Sequence, residues 1–477
     1  MTHYEWNIRD FGAVGDGVAY DTAAVQSAVD ACAASGGGTV VVPAGRYLVG
    51  TVELRDRVTL HLEAGAVLVG SVRREDYRFV EAPPGCALKA ERIGLIYAFG
   101  CEDVAVTGRG RIAGQGHAFW TPIPPDEMGE AWNTIPPRFT AQAWRPMMVL
   151  FEQCRNVLVE GVVFDDAPAY AGWLIDCEHV AVRGVTVLNE FYGPNTDGFH
   201  FCSCRAVRVE GCDFTTGDDA LAVDGNGSGP SDGMTISGCT FNTSVNALRV
   251  YTGLDPGMTP EDSARAVVRN VAMSNCAVTN AAGVVNITAE NGLIENVAVS
   301  NLTVTQEQEG TAFYLMNMRG RIRNVRISQV VARGNGAATV MGTAGQPLEG
   351  IRLEDIDFRV TPKRKWHGAE MPDPVPAYGH AHFAPWGVFV RHVRDMVVRN
   401  VTFRWEGTDE QTGMSAPHCE GAGAAGDFPL KCREVDGLVL DGWRGGAMAG
   451  DGATKEPDLQ TVRGVVVRNC DFGPQKD

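Results

Sequence analysis

The chain has 477 residues with a formal net charge of −17, and 44% of its residues are hydrophobic. An acidic chain with no basic block is unsuited to binding nucleic acid, and no apolar run reaches the ~18 residues that a membrane span requires. The first residues, MTHYEWNIRDFG, lack the charged and apolar regions of a signal peptide. We therefore expect a cytoplasmic protein, or a secreted one whose signal was removed. The composition leaves the oligomeric state open.

The first predicted elements are a strand and turn over residues 7–20 and a helix over residues 21–34. Asp21 is the predicted N-cap of this helix. The apolar positions of the helix share one face and are Val25, Ala28, Val29 and Cys32. Because an uncovered terminal coil would expose its core and its strand edges, we expect this helix to cover the N-terminal end of the fold.

From about Arg57 to Gly473, short segments alternate apolar and polar residues and are separated by recurring Asn, Gly or Asp corners. Examples are CRNVLVEGVVF, CEHVAVRGVTV, CRAVRVEGCDF and VRGVVVRNCDF. Strict alternation at regular spacing predicts many short strands. A β-sandwich is the competing architecture, but its hairpins would favour Asn-Gly or Asp-Gly turns, whereas here one polar corner separates two strands. We therefore predict an all-β fold: one right-handed, single-stranded parallel β-helix domain over residues 1–477, with long loops on one face.

Many of the 13 cysteines occupy matching places in these repeats, and none forms a CxxC pair. Cys154, Cys177 and Cys204 lie at equivalent points of successive repeats, and so do Cys212 and Cys239. We interpret them as small buried residues stacked inside the coils. Unpaired thiols suit a reducing compartment.

Three stretches interrupt the repeat, at residues 115–146, 360–392 and 406–432. Long loops on a solenoid commonly share one face and carry binding residues, so we expect these loops to line a groove. Trp386 and His382 are candidate substrate contacts, because an aromatic ring can stack on a sugar, although a loop tryptophan can equally serve to pack the loop down. Histidine is frequent in the same loop, but its spacing is weak support for a metal site, and we predict no metal and no other cofactor.

Two acidic motifs lie on neighbouring apolar segments: NTDG contains Asp197, and GDD contains Asp218 and Asp219. Their spacing is close to one coil of a β-helix, which would place the carboxylates side by side. Carboxylates that share a patch of surface resist joint ionisation, so one is expected to stay protonated beside an ionised one. Hydrolysis of a glycosidic bond uses such a pair, whereas either motif alone would indicate an ordinary turn.

The chain resembles glycoside hydrolase family 28, the polygalacturonase-like enzymes, over most of its length. The similarity is carried by DFGAVGDGVAYDTAAVQSAVDACAASGGGTVVVPAGRYLVG near the N-terminus, by GRIAGQGHAFW, and by the motifs PNTDG and GDD. The first segment resembles the whole pectin-acting β-helix superfamily, and the acidic motifs are more specific. The resemblance implies that Asp218 is the general acid, that Asp197 and Asp219 hold and activate a water, and that configuration is inverted. Asn195 and His200, in and beside the first motif, are candidate substrate contacts.

One departure from the family pattern lies on the coil after GDD. The family has a Gly-His-Gly element there, whereas this chain reads NTSVNALRVYTG. Asn246, Arg249 and Tyr251 are therefore the candidate substrate contacts on that coil.

The second departure concerns the family's Arg-Ile-Lys element, which binds the uronate carboxylate. This chain reads GVVNITAENG, with Asn286 and Thr288 at the cationic positions. A buried uronate needs a fixed cation. We therefore expect weak activity on polygalacturonate and better activity on neutral or mixed-sugar oligosaccharides, unless Arg249, Arg145 or Lys365 supplies the charge.

Three functions remain open from the sequence. The first is an inverting glycoside hydrolase that cleaves an oligosaccharide, pectin-derived or from a related plant or bacterial glycan, from one chain end. The second is a polysaccharide lyase or epimerase on the same fold, which would need a base near C5 and a cation at the uronate. The third is a non-catalytic carbohydrate-binding β-helix, in which the acidic residues could be replaced without consequence.

Overall fold

The computed structural model describes residues 5–84, 86, 88–124, 126–127, 138–253, 258–308, 310–360, 387–406, 408–409, 414–415, 429–445 and 457–472. Close backbone contacts group the chain into two compact units. The first contains Met1–Gly129, Pro137–Thr243 and Asp255–Asp262, and the second contains Glu130–Pro136, Ser244–Leu254 and Ser263–Asp477. The assignment of residues 1–477 to one domain stays a prediction. Within the described ranges, no helix is long and apolar enough to cross a membrane.

Helix α1 spans Thr22–Ala34, and the four apolar residues of its predicted face are all fully buried. The helix packs against the first strands and the 3-10 turn Ile8–Phe11. Asp21 occupies the N-cap position, but its carboxylate does not cap the helix. Instead it accepts hydrogen bonds from the backbone nitrogens of Val14 (2.6 Å) and Gly15 (3.2 Å), so it holds the preceding loop. The predicted N-cap residue is therefore confirmed, although its side chain binds the preceding loop and not the first turn of the helix.

The strands of the first unit are short and follow one another around successive coils. They are β1 Glu5–Asn7, β2 Asp16–Tyr20, β3 Gly38–Val42, β4 Gly45–Val49, β5 Val52–Glu53, β6 Val58–Leu62, β7 Ala66–Gly70, β8 Phe79–Val80, β9 Arg92–Phe99, β10 Ala105–Gly108, β11 Arg111–Ala113, β12 Trp120–Pro122, β13 Phe139–Ala141, β14 Met147–Glu152, β15 Arg155–Glu160, β16 Val163–Asp165, β17 Gly172–Ile175, β18 Glu178–Arg183, β19 Thr186–Leu188, β20 Phe199–Cys202, β21 Arg205–Glu210, β22 Asp213–Thr216, β23 Leu221–Asp224, β24 Ser231–Ser237 and β25 Thr240–Thr243. Further 3-10 turns lie at Arg74–Asp76 and Gly116–Phe119, and a short helix α2 lies at Pro260–Arg265.

These strands stack into three parallel sheets. The first sheet runs β5–β9–β14–β17–β20–β23, the second β3–β6–β10–β15–β18–β21–β24, and the third β4–β7–β11–β16–β19–β22–β25. Among the described residues of this unit, antiparallel pairing joins β8 to β9 and β12 to β13, and β8, β12 and β13 are not strands of the three parallel sheets. Three parallel sheets visited in turn are the arrangement of a parallel β-helix.

The first sheet has a distinct inner and outer face because side chains alternate along each strand. Ile96, Val149 and Phe199 lie in register, fully buried on the inner face. The residues one position later point outward. Phe99 also points outward, because it lies three residues after Ile96 on the same strand. It is 47% exposed, whereas its register partner Glu152 is fully buried. Part of the outer face is therefore covered by other segments of the chain.

The second unit continues the same kind of repeat with longer strands. They are β26 Asn246–Thr252, β27 Val267–Asn280, β28 Gly283–Ala289, β29 Leu293–Thr305, β30 Thr311–Asn317, β31 Arg321–Gly334, β32 Ala338–Met341, β33 Leu348–Val360, β34 Val388–Trp405, β35 Thr408–Asp409, β36 Met414–Ser415, β37 Leu430–Asp441, β38 Asp458–Gln460 and β39 Arg463–Arg468. Its parallel sheets are β26–β28–β30–β32–β34–β37–β38 and β27–β29–β31–β33–β34–β37–β39.

Asparagine occupies corners of these long strands, with the backbone in the left-handed region. Asn270, Asn296 and Asn324 have φ values of 60°, 57° and 55°. Asn296 Nδ2 donates to Asn270 Oδ1 at 3.1 Å, and Asn324 Nδ2 donates to Asn296 Oδ1 at 3.2 Å. Asparagine tolerates this conformation better than most residues, which explains the Asn corners of the sequence repeat.

The cysteines of the first unit stack from coil to coil. Cys177 Sγ lies 3.4 Å from the Phe151 carbonyl oxygen, and Cys204 Sγ lies 3.4 Å from that of Leu174, one coil earlier in each case. Burial is the largest cause that raises the pKa of Cys177. None of the described cysteines forms a disulfide bond, and all of them but Cys470 are buried. The thiols serve as core residues, as their matching positions in the repeat indicated.

Candidate active site

The two acidic motifs lie at corners of consecutive coils. Asp197 is two residues before β20, and Asp219 is two residues before β23. Strands β20 and β23 pair in parallel with Phe199 opposite Leu221, and the Gly198 nitrogen donates to the Asp219 carbonyl at 3.0 Å. Asp197 and Asp219 are therefore backbone neighbours across one coil. That the three carboxylates face one solvent-filled groove stays a prediction.

Gly198 is required by the closeness of these two corners. A Cβ on Gly198 would lie 2.2 Å from the Ala220 carbonyl oxygen and 2.8 Å from Phe214 Cδ1, closer than real Cβ contacts occur. Gly217 is similarly confined, because its Cβ would lie 2.5 Å from Thr196 Oγ1 and from backbone atoms of Gly193. Both glycines permit close approach of one chain segment to the next.

Buried polar side chains hold the first acidic corner in place. Asn189 Nδ2 donates to the Thr196 carbonyl oxygen at 3.0 Å, and Asn189 Oδ1 accepts from the Ala167 nitrogen at 3.1 Å. Thr196 Oγ1 donates to the Gly193 carbonyl oxygen at 3.0 Å and accepts from the Gly217 nitrogen at 3.1 Å. The corner that carries Asp197 is thus tied to the coils before and after it.

Asp218 and Asp219 occupy different environments although they are consecutive. Asp219 is buried, at 1% exposure, whereas Asp218 is half-buried. Neither residue is in a strand, since both lie between β22 and β23, so the strict alternation of a strand does not constrain them. Asp218 Oδ1 accepts from the Asp219 nitrogen at 3.0 Å, and Oδ2 accepts from Asn195 Nδ2 at 3.4 Å. Asp218 is the solvent-accessible member of the pair.

Arg145 brings a positive charge to this corner. Its Nη2 donates to Asn195 Oδ1 at 2.9 Å, and its Nη1 donates to the carbonyl oxygens of Pro168 (3.2 Å) and Pro194. Burial lowers the pKa of Arg145, and the charges of Asp197 and Asp218, together with Tyr170, act in the opposite direction. The guanidinium is therefore close enough to both aspartates for direct electrostatic interaction.

His200, a candidate substrate contact, is buried at 5% exposure. Its Nε2 lies 2.5 Å from Asp224 Oδ2, and Tyr170 and Trp173 flank its ring with centroids 5.2 Å and 6.4 Å away. This environment suits a residue that supports the half-exposed Tyr170. Direct contact of His200 with substrate stays a prediction.

A segment between β8 and β9 covers the outer face of the first sheet. Cys86 and Leu88 pack in one buried cluster with side chains of successive coils, namely Tyr97, Leu150, Trp173, Ile175 and Cys202. Arg92 is fully buried and donates from Nη2 to Glu152 Oε1 at 3.1 Å and from Nη1 to the Leu88 carbonyl oxygen at 3.1 Å. We call the described residues of this stretch, 83, 84, 86 and 88–91, the covering segment.

The described parts of loop 115–146 contact the corner that carries Asp197. His117 Nδ1 lies 2.8 Å from Asp166 Oδ1, and its Nε2 lies 3.6 Å from Glu190 Oε2. Arg138 lies over the ring of Tyr192, 4.4 Å from its centroid. These contacts place the loop beside the acidic corner, and its lining of a substrate groove stays a prediction.

The candidate residues on the coil after GDD belong to the second unit. Arg249 pairs in register with Asn286, and Tyr251 pairs with Thr288. Arg249 Cζ lies 4.2 Å from the Tyr251 ring centroid, and Thr288 Oγ1 donates to Asn286 Oδ1 at 2.7 Å. The two positions that carry cations in the family pattern are therefore occupied by a buried asparagine and a buried threonine that are joined by a hydrogen bond. The approach of these residues and of the buried Asn246 to the three aspartates stays a prediction.

Trp386, His382 and Lys365 lie outside the described residues, as do most of loops 360–392 and 406–432. Among the described residues, no group of three or more His, Cys, Asp or Glu side chains is arranged to hold a metal ion. The chemistry that the described site offers is that of neighbouring carboxyl groups.

Comparison with solved structures shows the class of fold. The chain is similar to the family 28 exopolygalacturonase of Yersinia enterocolitica, with a TM-score of 0.67 and 17% identity over 92% of this chain and 78% of that one. It is also similar to an exopolygalacturonase of Thermotoga maritima, with a TM-score of 0.58 and 22% identity over 76% of this chain and 88% of that one. These likenesses confirm the predicted right-handed parallel β-helix.

Sequence comparison shows the family. A probable polygalacturonase of Vitis vinifera is 28% identical over 46% of this chain and 43% of that protein. An exopolygalacturonase of Platanus acerifolia is 23% identical over 57% of this chain and 72% of that protein, so the matches span about half to three quarters of these relatives. The profile of glycosyl hydrolases family 28 matches residues 32–365. The chain belongs to this family, whose members are glycoside hydrolases.

The sequence patterns located the acidic corners but not the residues that hold them. Asn189 looks like an ordinary loop residue in the sequence, and only its burial and its hydrogen bonds show what it supports. The covering segment contains two prolines and no repeat, which marks it as an interruption without indicating where it folds. A pairing of Arg145 with Asn195, 50 residues later, leaves no signal in a single sequence.

Proposed function

We propose that the protein is an inverting glycoside hydrolase that removes sugar units from one end of a pectin-derived oligosaccharide. The observation that carries the proposal is the pairing of two acidic corners on consecutive coils, with Asp219 and Asp197 buried and Asp218 half-buried. Membership of family 28 supports the same chemistry.

Each aspartate has a role that its environment can support. Asp218 donates a proton to the leaving oxygen, and N–H groups at both of its carboxyl oxygens stabilise the negative charge that appears when the proton leaves. Asp197 and Asp219 orient a water and accept its proton as it attacks from the opposite side of the sugar ring. In an inverting enzyme the acid and base are about 6.5–9.5 Å apart, which leaves room for that water.

The covering segment supports action at a chain end. It lies over the outer face of β9, β14, β17 and β20, on the coils that lead up to Asp219. A polysaccharide that followed this face toward the N-terminal coils would meet Cys86 and Leu88. A substrate of limited length on that side is therefore favoured over a long polymer.

The substrate class rests on the relatives and on charge. The curated relatives that this chain matches include proteins named polygalacturonase and exopolygalacturonase, which favours pectin. Asn286 and Thr288 are hydrogen-bonded to each other at the positions where the family pattern has cations. The net charge of −17 also disfavours binding of a polyanionic substrate. Arg145 brings a positive charge to the acidic corner, but its Nη1 and Nη2 already donate to two carbonyl oxygens and to Asn195. We therefore expect neutral or mixed-sugar oligosaccharides of pectin to be better substrates than oligogalacturonides.

The test is hydrolysis of a panel of pectin oligosaccharides, with neutral, mixed and fully uronic members, followed by NMR of the first product. We expect single residues released with inverted anomeric configuration. Asp218→Asn should reduce kcat by about 10²- to 10⁴-fold, the usual contribution of a general acid. Asp213→Asn is the matched control, because Asp213 is an exposed aspartate on the same coil that contacts Thr240. Equal loss in both variants, or retained configuration, would contradict the mechanism.

The alternative is lyase or epimerase chemistry. A segment of 67 residues is 48% identical to the mannuronan C5-epimerase AlgE5 of Azotobacter vinelandii, but it covers 14% of this chain and 7% of that protein. A lyase would release an unsaturated uronide that absorbs in the ultraviolet, and an epimerase would release no new reducing ends. Either result in the same assay would favour this class over hydrolysis.

A further inference from the structure

We propose that Arg145 is a positioning residue of the active site, which fixes the side-chain orientation of Asn195 so that the Asn195 amide nitrogen contacts Asp218. This inference rests on the proposed role of Asp218 as general acid. It adds a residue from outside the acidic motifs, 73 positions before Asp218 along the chain.

The guanidinium of Arg145 ties together two consecutive corners. Its Nη1 donates to the Pro168 carbonyl oxygen at 3.2 Å and to that of Pro194, and these carbonyls lie on the corners before β17 and before β20. Its Nη2 is left to face Asn195, whose Oδ1 it meets at 2.9 Å. The planar fork of arginine can hold several acceptors in one fixed arrangement, which a lysine cannot reproduce.

The contact with Arg145 decides which way the Asn195 amide points. Asn195 is exposed and has a φ of 53°, so its own backbone and packing leave the side chain weakly held. Arginine has donors and no acceptor, so the oxygen of the Asn195 amide must face Arg145. The nitrogen then faces Asp218, whose Oδ2 lies 3.4 Å away. The reversed amide would place two donors together and two acceptors together.

The same guanidinium also acts on the aspartates through its charge. Among the described residues, the groups whose charge acts on Arg145 are Tyr170, Asp197 and Asp218. A positive charge favours the ionised form of each carboxyl group. Its removal should therefore move both limbs of the pH–rate profile to higher pH, because the base needs more alkaline solution to ionise and the acid keeps its proton longer.

The experiment separates geometry from charge with two variants. Arg145→Gln removes both, and Arg145→Lys keeps the charge while losing the fork. We expect kcat to fall by about 10- to 100-fold in both, as for loss of a hydrogen bond to a charged group. Both limbs of the pH–rate profile should move to higher pH in Arg145→Gln. In Arg145→Lys, which keeps the positive charge, both limbs should stay close to their wild-type positions. Arg183→Gln is the control, since Arg183 forms an exposed ion pair with Glu210 and should change neither quantity.

Crystal structures of the wild type and of Arg145→Gln provide a readout that needs no substrate. We expect Asn195 to turn away from Asp218 in the variant while the coils remain unchanged. If Asn195 keeps its contact with Asp218 in Arg145→Gln, the inference is overturned, whatever happens to activity. If the wild type hydrolyses no pectin oligosaccharide, the proposed function fails, and the position of Asn195 still decides the inference. Should Arg145→Gln not fold, the structure of Arg145→Lys answers the same question.

Discussion

The buried ion pair beneath the covering segment allows a prediction whose magnitude and pH dependence both follow from the structure. Arg92 and Glu152 are fully buried and lie 3.1 Å apart, Nη2 to Oε1. Arg92→Met keeps most of the side-chain volume but leaves the Glu152 carboxylate buried without its cation. Breaking a buried pair in this way costs about 3–5 kcal/mol of the free energy of unfolding at neutral pH.

The cost should depend on pH in a defined direction. Burial raises the pKa of Glu152 and nearby Asp176 adds to this, whereas Arg92 lowers it, so Arg92→Met raises it further. A folded-state pKa above the ordinary value of about 4.3 means that the unfolded chain releases a proton that the folded chain retains. The stability that this carboxyl group contributes is therefore fully present below its ordinary pKa of about 4.3, and it is lost as the pH rises through the raised pKa of the folded state. The difference between wild type and variant should be smallest near pH 4 and should grow toward pH 7.

The assay is urea unfolding of both proteins at several pH values between 4 and 7, with Arg92→Met/Glu152→Leu as the control. The double variant removes both charges and should recover much of the lost stability at pH 7. A cost that is the same at every pH, or a double variant as unstable as Arg92→Met, would refute the electrostatic reasoning. Because Arg92 also bonds the Leu88 carbonyl oxygen, loosening of the covering segment should let the variant release longer products as well as single sugars.

Two other substitutions test the geometry of the corner and the role of the second long loop. Gly198→Ala should destabilise the protein by about 1–3 kcal/mol through overpacking against Ala220 and Phe214, and should lower kcat because Asp197 must move. Gly345→Ala, where no atom lies within 4 Å of the new Cβ, should do neither, and thermal unfolding with kinetics of both variants makes the comparison. Trp386→Ala should raise KM for the best oligosaccharide with little change in kcat, and an unchanged KM would remove that loop from the substrate site.

The sequence was sufficient to predict the fold because the repeat is local. Alternating segments such as CRNVLVEGVVF predict both a pair of strands and the face of those strands that points inward, and a segment with this pattern recurs in successive coils. The acidic corners were also predictable, since Asp197 and Asp219 are separated by one coil and parallel stacking turns that spacing into contact. Contacts that skip coils, such as those of Arg145 and of the covering segment, have no period and therefore no pattern to detect. Asp21 is the N-cap residue as predicted, but nothing in the sequence indicated that its carboxylate would accept from the backbone nitrogens of Val14 and Gly15.

The asparagine corners of the second unit have a consequence for how such a chain can change length. Asn296 donates from Nδ2 to Asn270 on one side and accepts at Oδ1 from Asn324 on the other, and the φ values of the three residues are nearly equal. Each of these corners therefore offers the next one the same amide acceptor and receives the same amide donor. Removal of one whole coil, from Asn296 to just before Asn324, would bring Asn324 against Asn270 with the same bond available. Loss of a whole coil therefore keeps this corner bond, whereas loss of half a coil would place Asn270 opposite a strand instead of a corner.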